Sequence, residues 1–130
     1  MATHIAKGIE LLSDKPGTGT AAVKGSAVTY NARLFLRRGD EVAFDAKSIA
    51  LYETRLTTRK IDGVQLIDHA TILGKRRPIA GVEKSLYGMQ AGGSREVLVS
   101  PHLAYGKKGL ADLIPADEML RIQLWVHDVR

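Results

Sequence analysis

Two stretches of strict alternation constrain this chain more than anything else in it. From Ala27 to Leu36, Val28, Tyr30, Ala32 and Leu34 fall on one side, and Thr29, Asn31, Arg33 and Phe35 on the other. From Met119 to Val129, Leu120, Ile122, Leu124 and Val126 alternate with Arg121, Gln123, Trp125 and His127. A period of two belongs to an extended strand, because successive side chains point to opposite faces of the pleat. Each segment therefore has one face that must be covered.

Turn formers divide the rest of the chain. Ile5 to Leu12 reads as an N-terminal strand, ended by the cluster from Ser13 to Gly19. Arg37-Arg38-Gly39-Asp40 turns the chain, and Glu41 to Asp45 returns as a short extended segment ending in a carboxylate. Residues 46–68 have the weakest pattern, but within them Lys60 to Ile67 predicts two short strands about Asp62-Gly63, a pair that tolerates the positive φ of a tight hairpin. A small hairpin or flap is expected there. His69 to Leu73 is a further short strand closed by Gly74. After Pro78 the spacing of Val82, Leu86 and Met89 predicts a helix over about Ala80 to Gly88, too short to persist without packing its stripe on the sheet. Ser94 to Ser100 returns as a strand with Val97 and Val99 on one side. Several strands and one helix predict an α+β domain, an antiparallel sheet laid over a single short α-helix.

At 130 residues the chain is expected to form a single domain over 1–130, with 46–68 as an insert or flap. No apolar run approaches the roughly 20 residues of a membrane span, and Lys7 interrupts the N-terminus before a signal-like apolar core can build. A soluble, cytoplasmic monomer without a membrane partner is the expectation. With no cysteine, disulfides, thiolate metal ligands and a thiol nucleophile are excluded. The net charge of +5 is spread over Arg37-Arg38, Arg59-Lys60, Lys75-Arg76-Arg77 and Lys107-Lys108, without aromatic interleaving or a nucleic-acid motif. That distribution describes a solvated basic surface and argues against a nucleic-acid site.

Familiar catalytic constellations are missing. There is no nucleophile elbow, phosphate-binding loop or zinc-binding helix motif, and His4, His69, His102 and His127 lie at no metal-ligand spacing, so no metal or cofactor is implied. What remains is an apolar set with polar tips: Tyr30, Phe44, Asp45, Ile79, Val82, Tyr105, Leu113, Ile114 and Ile122. By residue type these also describe an ordinary core, and Asp45 also suits a turn-capping carboxylate. The stretch from Val99 through Pro101 and Ala104-Tyr105-Gly106 to Ile114-Pro115 has the outline of a ligand-facing loop, an apolar strand stopped by proline and followed by a Gly-rich turn.

Taken in order, Gly17-Thr18-Gly19, Lys24-Gly25, Val28-Thr29-Tyr30, Phe44-Asp45, Gly81, Gly88-Met89, Gly92, the run Pro101 to Gly106, and Ile114-Pro115 resemble the FKBP-type peptidyl-prolyl cis-trans isomerases. The likeness runs from about Gly8 to Val129, interrupted by 46–68. It implies a twisted antiparallel sheet wrapped around one short helix, with a hydrophobic pocket that takes the proline of a protein or peptide substrate, or a macrolide such as rapamycin. By position, Tyr30 resembles the tyrosine whose hydroxyl holds Asp45, Phe44 a pocket wall, and Tyr105 the hydroxyl donor of the loop. Ile79 resembles the residue whose N–H binds the ligand carbonyl, Val82 the pocket floor, and Leu113, Ile114 and Ile122 the rest of the apolar lining.

Departures from the family pattern are visible too. Val82 stands where the family often has tryptophan, His69 and Ile122 where it has aromatic walls, Leu110 where it often has histidine, and Pro78 replaces a residue that usually contributes to the pocket. Lost aromatic area costs ligand binding roughly 1 to 3 kcal/mol. Two functions therefore follow from the resemblance. One is isomerisation of X-Pro bonds, with Tyr30, Phe44, Asp45 and Tyr105 as catalytic residues and His69, Ile79, Val82, Leu110, Leu113, Ile114 and Ile122 as substrate contacts. The other is a catalytically weak binding or chaperone module that holds a protein partner in the same pocket.

Overall fold

The computed structural model describes residues 3–42, 45, 57–75 and 78–130. Nine strands appear there in chain order: β1 Thr3–Ala6, β2 Ile9–Lys15, β3 Ala27–Leu36, β4 Glu41–Val42, β5 Thr58–Ile61, β6 Val64–Ile67, β7 His69–Ile72, β8 Ser94–Val99 and β9 Leu120–Val129. Helix α1 spans Ala80–Leu86, Asp45 is helical and not the end of an extended segment from Glu41, which stops at Val42 among the described residues, and a 3₁₀ turn spans Pro101–Leu103. The main sheet is antiparallel in the order β1-β2-β8-β9-β3-β4, with β7 also pairing on β3, while β5 and β6 form a separate two-stranded sheet. This is the expected α+β arrangement. No helix among the described residues is long and apolar enough to cross a membrane.

The two alternating segments are the central pair of the sheet. β3 and β9 are aligned from Val28 opposite Val129 to Leu36 opposite Leu120. Leu120, Ile122, Leu124 and Val126 are all within 1 % of full burial, and Val97 and Val99 of β8 extend the same apolar face. Helix α1 covers that face with Val82 and Leu86, while Met89 follows just beyond the helix. Burying each such side chain contributes about 1.5 to 3 kcal/mol, which holds a helix of only seven residues in place.

Hydrogen bonds to neighbours secure both helix ends. The Ile79 carbonyl accepts from the N–H groups of Val82 and Glu83, and the buried Glu83 carboxylate accepts from Gly74 N–H at 2.6 Å, tying the loop after β7 to the helix. At the other end Arg95 of β8 donates to the carbonyls of Ser85 and Tyr87 at 2.9 and 2.7 Å, satisfying acceptors that a helix C-terminus leaves open. Gly81 sits where helix and sheet come closest, since a Cβ there would lie 2.4 Å from Val99 Cγ1.

Three expectations change. Ile5 to Leu12 is split, because Lys7-Gly8 turns β1 back on β2, with Gly8 at φ +87°. The loop predicted from Ser13 begins later, because Ser13, Asp14 and Lys15 pair with Glu96, Arg95 and Ser94 of β8, and tertiary pairing outweighs local turn preference. Asn31, assigned to the polar face of β3, is fully buried. The β5–β6 hairpin covers that face at Asn31, whose amide donates to the Ile67 carbonyl and the Asp68 carboxylate, while the β3–β9 bulge between Thr29 and Tyr30 places its extra residue, His127, on β9. The hairpin about Asp62-Gly63 forms as expected, with φ of +51° and +80° at the two turn residues. Gly81→Ala is expected to lower the denaturation midpoint by the equivalent of about 1 to 3 kcal/mol, the cost of forcing a methyl into a packed contact, in an equilibrium urea titration.

Candidate functional site

Between the helix, the concave side of β3 and the β5–β6 hairpin lies a cavity of about 580 Å³. Tyr30, Asp45, His69, Ile79, Val82 and Tyr105 all line it. They arrive there from several separate elements. Tyr30 points inward from β3, directly opposite His69 of β7, and their rings lie 5.5 Å apart. Ile79 and Val82 stand at the entry of α1, where the Ile79 N–H makes no hydrogen bond to the described residues. Tyr105 follows the 3₁₀ turn, whose Pro101 carbonyl accepts from both Ala104 and Gly106 N–H, while Gly109 N–H donates to the Tyr105 carbonyl. The proline stop and the glycine turn thus fix the backbone on both sides of the tyrosine.

The chemistry of these groups is that of donors and dipoles. Burial, then the Asp45 carboxylate and Tyr105, push the Tyr30 phenol up to about 12. Burial also raises Tyr105. Both hydroxyls stay protonated at neutral pH and serve as hydrogen-bond donors, not as bases. The Asp45 carboxylate accepts from Ile67 N–H at 2.9 Å and faces His69 Nε2 at 3.4 Å. Among the described residues it makes no hydrogen bond to the Tyr30 hydroxyl, so the two interact through space. Across the cavity, Arg33 and Glu41 form a bidentate pair with contacts of 2.9 and 2.6 Å. Thr71 lies under the lining, 4 % exposed, with its hydroxyl oxygen lacking a partner among the described residues.

Other expected site residues lie elsewhere. Leu110, Leu113 and Ile114 line a second concavity of about 440 Å³ beside Leu36 and Arg38. The reason is local: Leu110 and Ile114 exchange N–H to carbonyl bonds of 2.8 Å, which fold the loop onto itself and turn its apolar residues toward the core. Ile122 has no exposed surface and belongs to the core beneath. Phe44 lies outside the described residues. No group of three or more potential metal ligands occurs among the described residues.

Sequence reasoning missed the residues that hold the hairpin wall of the cavity. Asn31 donates through Nδ2 to the Ile67 carbonyl at 2.7 Å and to Asp68 Oδ1 at 2.8 Å, and its Oδ1 contacts His127 Nε2 from β9. With Nδ2 engaged in that way, Oδ1 is the acceptor and His127 Nε2 the donor. Asp68 is in turn gripped by Arg59 of β5 at 2.7 and 2.9 Å. Arg59 first, and Asn31 after it, hold the Asp68 carboxyl below its usual range. His127 is lowered, chiefly by burial and then by Arg59, against an opposing pull from Asp68. An Asn, an Asp and a His on three separated segments carry no pattern that announces this assembly.

An apolar cavity between one short helix and a twisted antiparallel sheet, with tyrosine hydroxyls and a carboxylate at its lining, defines a class of small-ligand or peptide-binding α+β domains. Residues 19–124 match the FKBP-type peptidyl-prolyl cis-trans isomerase family, and the chain belongs to that family. It is 34% identical over 124 residues to FK506-binding protein 4 of Aspergillus fumigatus, covering 95% of this chain and 22% of the relative. It is 42% identical over 60 residues to the human peptidyl-prolyl cis-trans isomerase FKBP10, covering 46% of this chain and 10% of the relative. The bovine FKBP11 is 44% identical over 52 residues, 40% of this chain and 26% of the relative. The aligned part thus spans about a tenth to a quarter of these relatives' lengths.

The lowered His127 gives a pH dependence of known sign. The unfolded chain binds a proton near 6.5 while the folded chain resists it, so stability is complete above that pH and declines as pH falls toward the folded-state value. In His127→Gln, which keeps a donor for Asn31, the fall in melting temperature between pH 7 and pH 5 is expected to be smaller than in the parent protein.

Proposed function

We propose that this domain catalyses cis-trans isomerisation of X-Pro bonds in protein or peptide substrates, with the prolyl ring in the cavity bounded by Tyr30, Ile79, Val82 and Tyr105. The observation that carries the reading is the joint placement of Ile79 and Val82 with the hydroxyl-bearing Tyr30 and Tyr105 around the same space. Rotation about the peptide C–N bond is opposed by about 18 to 20 kcal/mol of resonance, and uncatalysed X-Pro isomerisation takes tens of seconds or longer. Water bonded to the carbonyl oxygen of the residue before proline favours the charge-separated planar form of the X-Pro amide. Removing that water inside an apolar wall favours the twisted transition state.

No nucleophile is needed for such a step. The Ile79 N–H and the Tyr105 hydroxyl would hold carbonyls of the bent chain, and Asp45, kept in place by Ile67 N–H, would orient dipoles without moving a proton. Macrolides such as rapamycin would compete for the same cavity, with affinity reduced by the missing tryptophan at Val82.

The test is NMR exchange between cis and trans forms of a short proline peptide with substoichiometric protein. Accelerated exchange is expected, with kcat/KM falling about three- to tenfold in Tyr105→Phe, the worth of one hydrogen bond. No acceleration with any residue before proline would overturn the isomerase reading and leave a domain that binds its partner without turnover.

A further inference from the structure

The β5–β6 hairpin presents a second kind of wall to the cavity. All four residues of β6, Val64 to Ile67, line it, although side chains on a strand alternate between faces. A strand lines a space with every consecutive residue when its main-chain edge faces that space.

Register identifies which polar groups that edge carries. In an antiparallel pair, rungs that exchange hydrogen bonds alternate with rungs that do not. Asp68 N–H donates to the Thr57 carbonyl, so that rung is bonded and the next, Thr58 opposite Ile67, is not. The Ile67 N–H and carbonyl accordingly point away from β5, and side chains take both: Asp45 accepts from the N–H, and Asn31 donates to the carbonyl. Arg59 opposite Leu66 is then bonded, and Lys60 opposite Gln65 is not. The tight Asp62-Gly63 turn gives the same phase from the other end, since Ile61 and Val64 close it as a bonded pair. The main-chain N–H and carbonyl of Gln65 therefore point toward the cavity, beside those of Ile67, and have no hydrogen-bond partner among the described residues. The Gln65 side chain is directed elsewhere, donating to Thr58 Oγ1 at 2.9 Å.

We propose that the Gln65 rung of β6 is a substrate subsite, at which one extended residue flanking the proline pairs its main chain with the Gln65 N–H and carbonyl. This deepens the isomerase reading and rests on it for the position of the proline. Gln65 is two residues from Ile67, about 6.5 to 7 Å along a strand. A chain whose proline lies beside Asp45 and Tyr30 therefore reaches Gln65 with about two extended residues. The contact recognises main chain, so it admits varied side chains but rejects a proline or an N-methylated residue whose missing N–H the Gln65 carbonyl requires. It also gives the hairpin a function in substrate choice: longer unfolded segments are favoured over isolated X-Pro units.

The experiment compares proline peptides of about four and about ten residues in the exchange assay, with single N-methyl substitutions scanned along the longer one. The longer peptide is expected to have a kcat/KM about three- to tenfold higher per hydrogen bond gained. One N-methyl position should remove that advantage, and Gln65→Pro, which deletes an N–H that β5 does not use along with the side-chain bond to Thr58 that Gln65→Ala also loses, should bring the long-to-short ratio toward one. Gln65→Ala, which keeps the main chain, should retain the ratio. Should Gln65→Pro fail to fold, the N-methyl scan on the unaltered protein decides. Equal use of both lengths, or no sensitive N-methyl position, overturns the subsite while the isomerase stands. With no turnover of any peptide the isomerase reading falls, and hydrogen exchange of the Gln65 amide then judges the subsite: slowed exchange on adding the longer peptide supports it, unchanged exchange overturns it.

Discussion

The pairing of β3 with β9 is the constraint on which the rest of the structure depends. Because it runs the length of both strands, it creates the apolar face that α1 covers, and it sets which β3 side chains point inward. Two neighbouring residues of β3, Tyr30 and Asn31, are buried on its two faces with different tasks. Tyr30 enters the cavity from one side of the strand. Asn31 leaves from the other to hold β6. The second face of β3 thus links the main sheet to the hairpin through the hydrogen bonds of Asn31.

Two sorts of wall meet at the candidate site. The helix entry and β3 supply apolar surface with hydroxyl donors whose protons are secured by burial. The hairpin supplies main-chain polar groups, clamped by Asn31, Asp68 and Arg59. Aromatic area is scarce, with Val82 and His69 where the family often has larger rings, and the hairpin lines part of the space.

Legibility in the sequence followed the range of the interactions. Strands with apolar residues at every second position, such as β9, and the stripe of Val82, Leu86 and Met89 were readable because burial imposes a local period. The Asp62-Gly63 turn was readable because few residues adopt positive φ. Tyr30, Asp45, Ile79, Val82 and Tyr105 belonged to the apolar set with polar tips, which the family likeness separated from ordinary core and to which it added His69, and all six lie around one cavity. Leu110, Leu113, Ile114 and Ile122 were apolar for the core and loop packing they make here, which residue type alone does not separate from lining a pocket. Asn31, Asp68, Arg59 and His127 escaped notice because three hydrogen bonds to distant segments leave no trace in a local pattern.

The sequence by itself determined the α+β class, the hairpin turn, the helix stripe and the family, since each rests on periodicity, backbone preference or ordered short motifs. Tertiary structure alone decided that the N-terminal segment folds into a hairpin on β8, that Asn31 is buried, and that the edge of β6 faces the cavity. Those outcomes depend on which strand pairs with which and in what phase. Register is a relation between segments, and a one-residue shift in it exchanges inside for outside.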